Sequence, residues 1–120
     1  MMKIALLGSH GMLGHALLEV FSGSDFEVRG FDLPELNIMN RESVFRLLGG
    51  ALPDVVINAA AYTAVDDAEK NFDLCMKVNG EAVGILADFC KKNKTVFIHY
   101  STDYVFDGKR LFGYDENSVP

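Results

Sequence analysis

A short apolar run, Ile4-Ala5-Leu6-Leu7, passes directly into Gly8-Ser9-His10-Gly11-Met12-Leu13-Gly14, and a helical apolar pattern begins within that loop. Few folds accept such a junction. An uninterrupted apolar run ended by glycine reads as a buried strand of a parallel sheet. Met12, Leu13, Ala16, Leu17, Val20 and Phe21 then recur at helical spacing until Ser22-Gly23-Ser24 stops them. Each glycine has a separate use. Gly8 permits the tight turn out of the strand, Gly11 lets a ligand approach the backbone, and Gly14 lets helix and strand pack closely. The free N–H groups of a helix start are a natural anion site, so the loop suits a dinucleotide pyrophosphate.

The rest of the chain repeats the alternation. Phe26–Phe31 alternates in polarity and reads as a second strand weakened by Gly30. Asn40 can cap a helix that carries Val44, Phe45, Leu47 and Leu48 and that Gly49-Gly50 should end. Val55-Val56-Ile57 is a third strand. A long amphipathic helix is expected from about Phe72 to Lys92, and Thr95–Tyr100 is a fourth strand. This β-α-β-α-β-α-β order predicts an α/β fold: a Rossmann-like, doubly wound parallel sheet of four strands. The expected strand order is 3-2-1-4, with helices on both faces, and residues 1–120 are expected to form one NAD(P)-binding domain.

Asp32 ends the second strand 18 residues after Gly14. An acid there can accept hydrogen bonds from an adenosine ribose and disfavours a 2′-phosphate; it can also merely cap the turn before Pro34. His10, inside the loop, either sees phosphate or faces solvent. Asn79 is costly inside a helix and so should bond something specific, a buried backbone partner before a ligand. Asp66, Asp67 and Glu69 superficially suggest a metal cluster, but acids in a first helical turn are explained by the helix dipole, and no metal is expected.

Composition excludes some classes. A net charge of −6 over 120 residues argues against a nucleic-acid surface. The one tight basic cluster, Lys91-Lys92-Asn93-Lys94, sits where a helix C-terminus favours cations. Cys75 and Cys90 lie 15 residues apart on one expected helix, roughly 22 Å, which no disulfide spans. They read as small buried apolar residues in a reducing compartment. With no spanning segment or leader pattern, a cytoplasmic protein is expected.

Three further segments carry a family resemblance: Asn58-Ala59-Ala60-Ala61-Tyr62-Thr63-Ala64-Val65-Asp66-Asp67-Ala68-Glu69, Val78-Asn79, and Ser101-Thr102-Asp103-Tyr104-Val105-Phe106-Asp107-Gly108. With the glycine loop, they resemble the N-terminal part of the dTDP-4-dehydrorhamnose reductases, extended short-chain dehydrogenase/reductases. The resemblance implies reduction of the 4-keto group of dTDP-6-deoxy-L-lyxo-4-hexulose to dTDP-L-rhamnose with NADH or NADPH. It places Gly11, Met12 and Leu13 at the pyrophosphate and Asp32 at the ribose, with Gly8, His10 and Gly14 completing the cofactor-binding loop. Asn37 and Ile38 fall beside the adenine, where family members carry an acid in place of Asn37. Ala60, Ala61, Tyr62, Thr63 and Tyr100 fall near the nicotinamide half. Val65, Thr102 and Asp103 face the sugar, with Thr102 assisting a catalytic tyrosine. Alanines after the third strand leave room for a cofactor, and hydroxyls after the fourth can meet a substrate carbonyl; each also has a plain rival in helix packing or turn formation.

The Tyr-x-x-x-Lys pair by which short-chain reductases deliver their proton is absent. Asp66, Tyr104, Gly108 and Ser118 stand four residues after the four tyrosines. The chain therefore reads as the cofactor-binding portion of a longer reductase, inactive alone, with a dTDP-sugar as the parent's substrate. An open edge of a four-stranded sheet invites homodimerisation. Alternatives are a dinucleotide-binding regulatory subunit resembling that of methionine adenosyltransferase, or another sugar-nucleotide epimerase or reductase.

Overall fold

The computed structural model describes residues 1–120. Four parallel strands, β1 (Lys3–Leu7), β2 (Glu27–Phe31), β3 (Val55–Asn58) and β4 (Val96–His99), form one sheet. Five helices connect or follow them: α1 (Met12–Phe21), α2 (Arg41–Ala51), α3 (Val65–Ala68), α4 (Phe72–Met76) and α5 (Ala82–Asn93). The α/β class, the parallel sheet and the helices on both faces agree with the sequence reading.

The strand order does not. The sheet runs β2-β1-β3-β4 rather than 3-2-1-4. Burial explains the difference. Every residue of β3 (Val55-Val56-Ile57-Asn58) is buried, which requires a strand on each side. β2, with Glu27 and Arg29 exposed, tolerates the edge. The chain thus leaves β1 for β2 across one face by α1 and returns to β3 across the other by α2. The direction reverses between β1 and β3, and crevices beyond the carboxyl ends of parallel strands open at such a reversal.

Alternation divides the core. Ile4, Leu6, Val55 and Ile57 face Leu17, Leu18 and Phe21 of α1. Ala5, Leu7, Phe31 and Val56 face Val44 and Leu48 of α2 and Leu86, Phe89 and Cys90 of α5. Met12, Ala16 and Val20, expected on the apolar face of α1, are exposed instead. α2 begins as predicted, with the Asn40 side chain accepting from the Ser43 N–H at 2.9 Å. It does not stop at Gly49-Gly50. It runs on to Ala51 and ends at left-handed Leu52, because a residue preceding proline, here Pro53, resists helical geometry.

The long helix expected from Phe72 is two helices joined by a π-helical turn, Lys77–Glu81. Cys90 is buried and its thiol is pushed up to about 11 by that burial, while Cys75 is only half-buried; neither is in a disulfide. Lys91 and Lys92 lie in the last turn of α5, as the basic cluster suggested. No helix is long and apolar enough to cross a membrane.

Asp88 on α5 clasps α2: it is bonded by the Arg41 guanidinium and approached by Lys92 at 3.2 Å. The Arg41 and Lys92 hydrogen bonds hold its carboxyl below the usual range. A depressed folded-state pKa stabilises above the ordinary carboxylate range and is lost as pH falls through the folded value. Melting temperature should therefore fall on acidification more steeply in the native chain than in Asp88→Asn. Identical acid limbs in the two would show that the clasp adds nothing.

Candidate dinucleotide site

The register places Phe31, Leu7, Asn58 and His99 in one row at the carboxyl edge of the sheet. One residue beyond that row stand Asp32, Gly8, Ala59 and Tyr100. A cleft of about 460 Å³ opens there, walled by the glycine loop, the segment after β2 and the segment after β3.

The glycine loop is shaped by contacts no side chain could share. Gly8 has φ +74°, and a Cβ there would lie 2.5 Å from the Ala60 nitrogen. A Cβ on Gly14 would lie 2.0 Å from the Gly8 carbonyl oxygen. Gly30, which seemed only to weaken β2, is where Ser9 crosses: a Cβ would come within 2.8 Å of the Ser9 Cβ. Gly11 differs, since its only close neighbour would be the Gly8 oxygen at 3.3 Å. Its missing side chain serves the open side of the loop. There α1 begins without any side-chain cap or first-turn acid, so its first N–H groups remain free for an anion. Met12 at this end is 94% exposed.

Asp32 caps the turn before Pro34, one of the two roles foreseen for it, and stands at the cleft. Its Oδ2 accepts from the His10 N–H and its Oδ1 from the Leu33 N–H, each at 2.8 Å. It therefore ties the glycine loop to the end of β2 while lining the cleft. The His10 ring is mainly exposed, with Nδ1 3.9 Å from Asp32 Oδ2. Asn37 also lines the cleft, and its Oδ1 accepts from the Met39 N–H at 3.0 Å, leaving its NH₂ free beside buried Ile38. Sequence reasoning overlooked Leu33, Leu36, Leu74 and Val78, which supply much of the apolar wall. The apolar residues bracketing Pro34-Glu35 were the available signal for the first two.

On the opposite wall, Ala60, Ala61 and Tyr62 line the cleft. Asn79, in the π-turn, grips the Tyr62 backbone from both sides, accepting from its N–H at 2.8 Å and donating to its carbonyl at 3.0 Å. The expected backbone partner is there, at an exposed rather than a buried position. A π-turn presents this one side chain at a register a continuous α-helix would miss.

Met12, Leu13, Gly14, Thr63, Val65, Tyr100, Thr102 and Asp103 do not line the cleft. Thr102 caps the 3-10 turn Asp103–Val105 by accepting from the Tyr104 N–H at 3.2 Å, and its hydroxyl donates to Asp103 at 3.2 Å. Asp66 and Asp67 lie in the first turn of α3. No group of three His, Cys, Asp or Glu side chains is arranged to hold a metal ion.

The family described as RmlD substrate binding domain matches residues 2–120. The chain belongs to this family. Among RmlD-type relatives, a dTDP-4-dehydrorhamnose reductase of Burkholderia thailandensis is 44% identical over 119 residues, covering 96% of this chain and 38% of the relative. A probable low-salt glycan biosynthesis reductase of Haloferax volcanii is 40% identical, covering 94% and 41%. The crystal structure of a dTDP-4-dehydrorhamnose reductase from Bacillus anthracis in complex with NADP superposes with a TM-score of 0.97 at 33% identity. It covers 100% of this chain and 43% of that one. The chain thus spans about two-fifths of the length of the relatives it matches.

Proposed function

We propose that residues 1–120 are the dinucleotide-binding part of an NAD(P)H-dependent reductase of 4-keto deoxysugar nucleotides, of the dTDP-4-dehydrorhamnose reductase type. The observation that carries this reading is the cleft itself. It brings the uncapped start of α1, the carboxylate of Asp32 and the Ala60–Tyr62 wall to one sheet edge. In this reading the N–H groups of Met12 and Leu13 bind the pyrophosphate over Gly11, whose own N–H is donated to the Gly8 carbonyl at 3.1 Å, and Asp32 uses its remaining lone pairs for the adenosine ribose. Leu33, Leu36 and Ile38 cover the adenine. Ala61 and Tyr62, held by Asn79, back the nicotinamide half, with Thr63 and Tyr100 towards its outer side. The bound cofactor supplies hydride; this chain's residues orient it and shield one of its faces. Val65, Thr102 and Asp103 are assigned to the sugar side, in a reductase working in the cytoplasm.

The proton-delivering Tyr-x-x-x-Lys pair is not among these 120 residues, so the chain by itself should bind cofactor weakly and turn nothing over. Calorimetric titration with NADH and NADPH, beside a turnover assay of the full-length gene product on a dTDP-4-keto-6-deoxy sugar, tests both halves. Failure of this chain to bind either dinucleotide overturns the binding assignment. Binding without turnover of any 4-keto sugar nucleotide by the full-length product overturns the reductase assignment and favours a regulatory subunit. We further propose pairing of two chains through β4, whose outer edge is open and whose Val96 is 58% exposed. A monodisperse monomer by size exclusion with light scattering overturns that pairing.

A further inference from the structure

Asn58 and His99 form a side-chain pair across β3 and β4, in the row that ends at the cleft, and nothing in the proposed chemistry uses it. Asn58 is 1% exposed, so both ends of its amide must be satisfied within the protein. Its Oδ1 accepts from the Ala60 N–H at 3.1 Å, which fixes the amide's orientation. Its NH₂ therefore points at His99 Nδ1, 3.2 Å away. Only a neutral imidazole protonated on Nε2 can accept there. Protonating Nδ1 sets donor against donor. Turning the amide over to relieve that clash sets its NH₂ against the Ala60 N–H instead. Either orientation leaves one buried group unpaired.

The His99 ring is exposed to solvent on its outer side, so the cost of protonating it falls on buried Asn58, whose NH₂ loses its acceptor. Phe97 of β4 stacks on the ring at 6.2 Å between centroids. The chain's one imidazole–carboxylate approach is that of His10 to Asp32. On α5, which packs on β4, Asp88 is engaged with Arg41 and Lys92. Beyond β4, Asp103 accepts from Thr102.

We infer that His99 is a positioning residue: as the neutral Nε2–H tautomer it accepts from Asn58, whose amide fixes the Ala60 backbone against Gly8 and so shapes the cofactor wall, and loss of that acceptor on protonation loosens the wall and weakens dinucleotide binding. The binding half of this inference rests on the function proposed above; the pair itself does not. The step that transmits the effect is short. Asn58 Oδ1 holds Ala60, and Ala60 is the residue against which the loop closes at Gly8.

Two measurements on the 120-residue chain test it. Nitrogen-15 correlation spectra of the imidazoles should show His99 as the Nε2–H tautomer near neutral pH. The Ala60 amide resonance should move with the same midpoint as the His99 ring. A protonated Nδ1 at neutral pH, or an Ala60 amide indifferent to that ring, overturns the inference whether or not cofactor binds. The second measurement is NAD affinity from about pH 8 to about pH 5, the span in which imidazoles titrate. It is made in a His10→Gln background because a second imidazole, that of His10, lines the cleft; NAD is used because it lacks a titrating 2′-phosphate. Affinity should fall at least about threefold on acidification, the size set by one unpaired buried donor. Adding Asn58→Asp gives the protonated ring an acceptor while still serving Ala60, and should flatten or reverse the slope. The same fall with and without Asn58→Asp, or no fall at all, overturns the inference.

Discussion

Replacing Gly14 with alanine is expected to cost about 3 kcal/mol of stability, at the upper end of what overpacking extracts. The methyl group would sit 2.0 Å from the Gly8 carbonyl oxygen and 2.8 Å from the Ser9 Cα. Both obstacles are backbone atoms of a loop already held by Asp32 and closed against Ala60, so relief requires α1 to move off β1. Gly11→Ala should behave otherwise. Its methyl meets only the Gly8 oxygen at 3.3 Å, so stability should change by less than about 1 kcal/mol, while dinucleotide affinity drops at least about tenfold because the methyl occupies the pyrophosphate's approach. Gly84→Ala, in the first turn of α5 where that helix continues from the π-turn, with nothing within 4 Å, should stabilise by about 0.5–1 kcal/mol. Urea unfolding of all three, with calorimetric binding of NADH, separates the cases. A Gly14→Ala chain as stable as the parent would refute the packing account. A Gly11→Ala chain that binds normally would refute the placement of the pyrophosphate.

The contrast shows why much of this site was legible from sequence. A glycine whose Cβ would meet local backbone is a property of a short segment, and strand-glycine-helix spacing reports it directly. The same holds for Asn40, whose capping bond spans three residues, and for Asp32, whose partners His10 and Leu33 belong to the loops it joins. What escaped was set by partners distant in sequence. The position of β3 between β1 and β4 depends on which strand can bear an exposed edge, a comparison of whole strands rather than a local pattern. The π-turn at Lys77–Glu81 is invisible to periodicity because Leu74, Val78 and Ile85 still recur at helical intervals. Its one sign was Asn79, a poor helix former whose bond to Tyr62 spans 17 residues. Asn58–His99, across 41 residues, left no sign at all.

Phe89→Ala is expected to cost about 3–5 kcal/mol, the usual range for removing a buried aromatic ring, and to disturb the cofactor wall although Phe89 lies outside the cleft. The ring is 1% exposed, sits in the core between α5 and the sheet, and meets Phe45 of α2 edge-on at 5.4 Å between centroids. Both long helices of that face thus bear on one side chain. The Asp88 clasp one residue earlier lies at the solvent edge and cannot replace it, since water and salt screen an exposed ion pair. Losing the ring removes transfer energy and leaves a cavity that two helices anchored to separate strands cannot easily close. The consequence reaches the site through the π-turn, which continues directly into α5 and carries Asn79. If α5 loosens, the bonds from Asn79 to the Tyr62 backbone loosen with it, so the Tyr62 amide should exchange with solvent faster in Phe89→Ala under conditions where the chain is still folded. Phe89→Leu, which keeps most of the volume, should cost less than about 1.5 kcal/mol and leave Tyr62 protected. A Phe89→Ala chain with unchanged Tyr62 protection would mean that α4 and the segment after β3 hold that wall without help from α5.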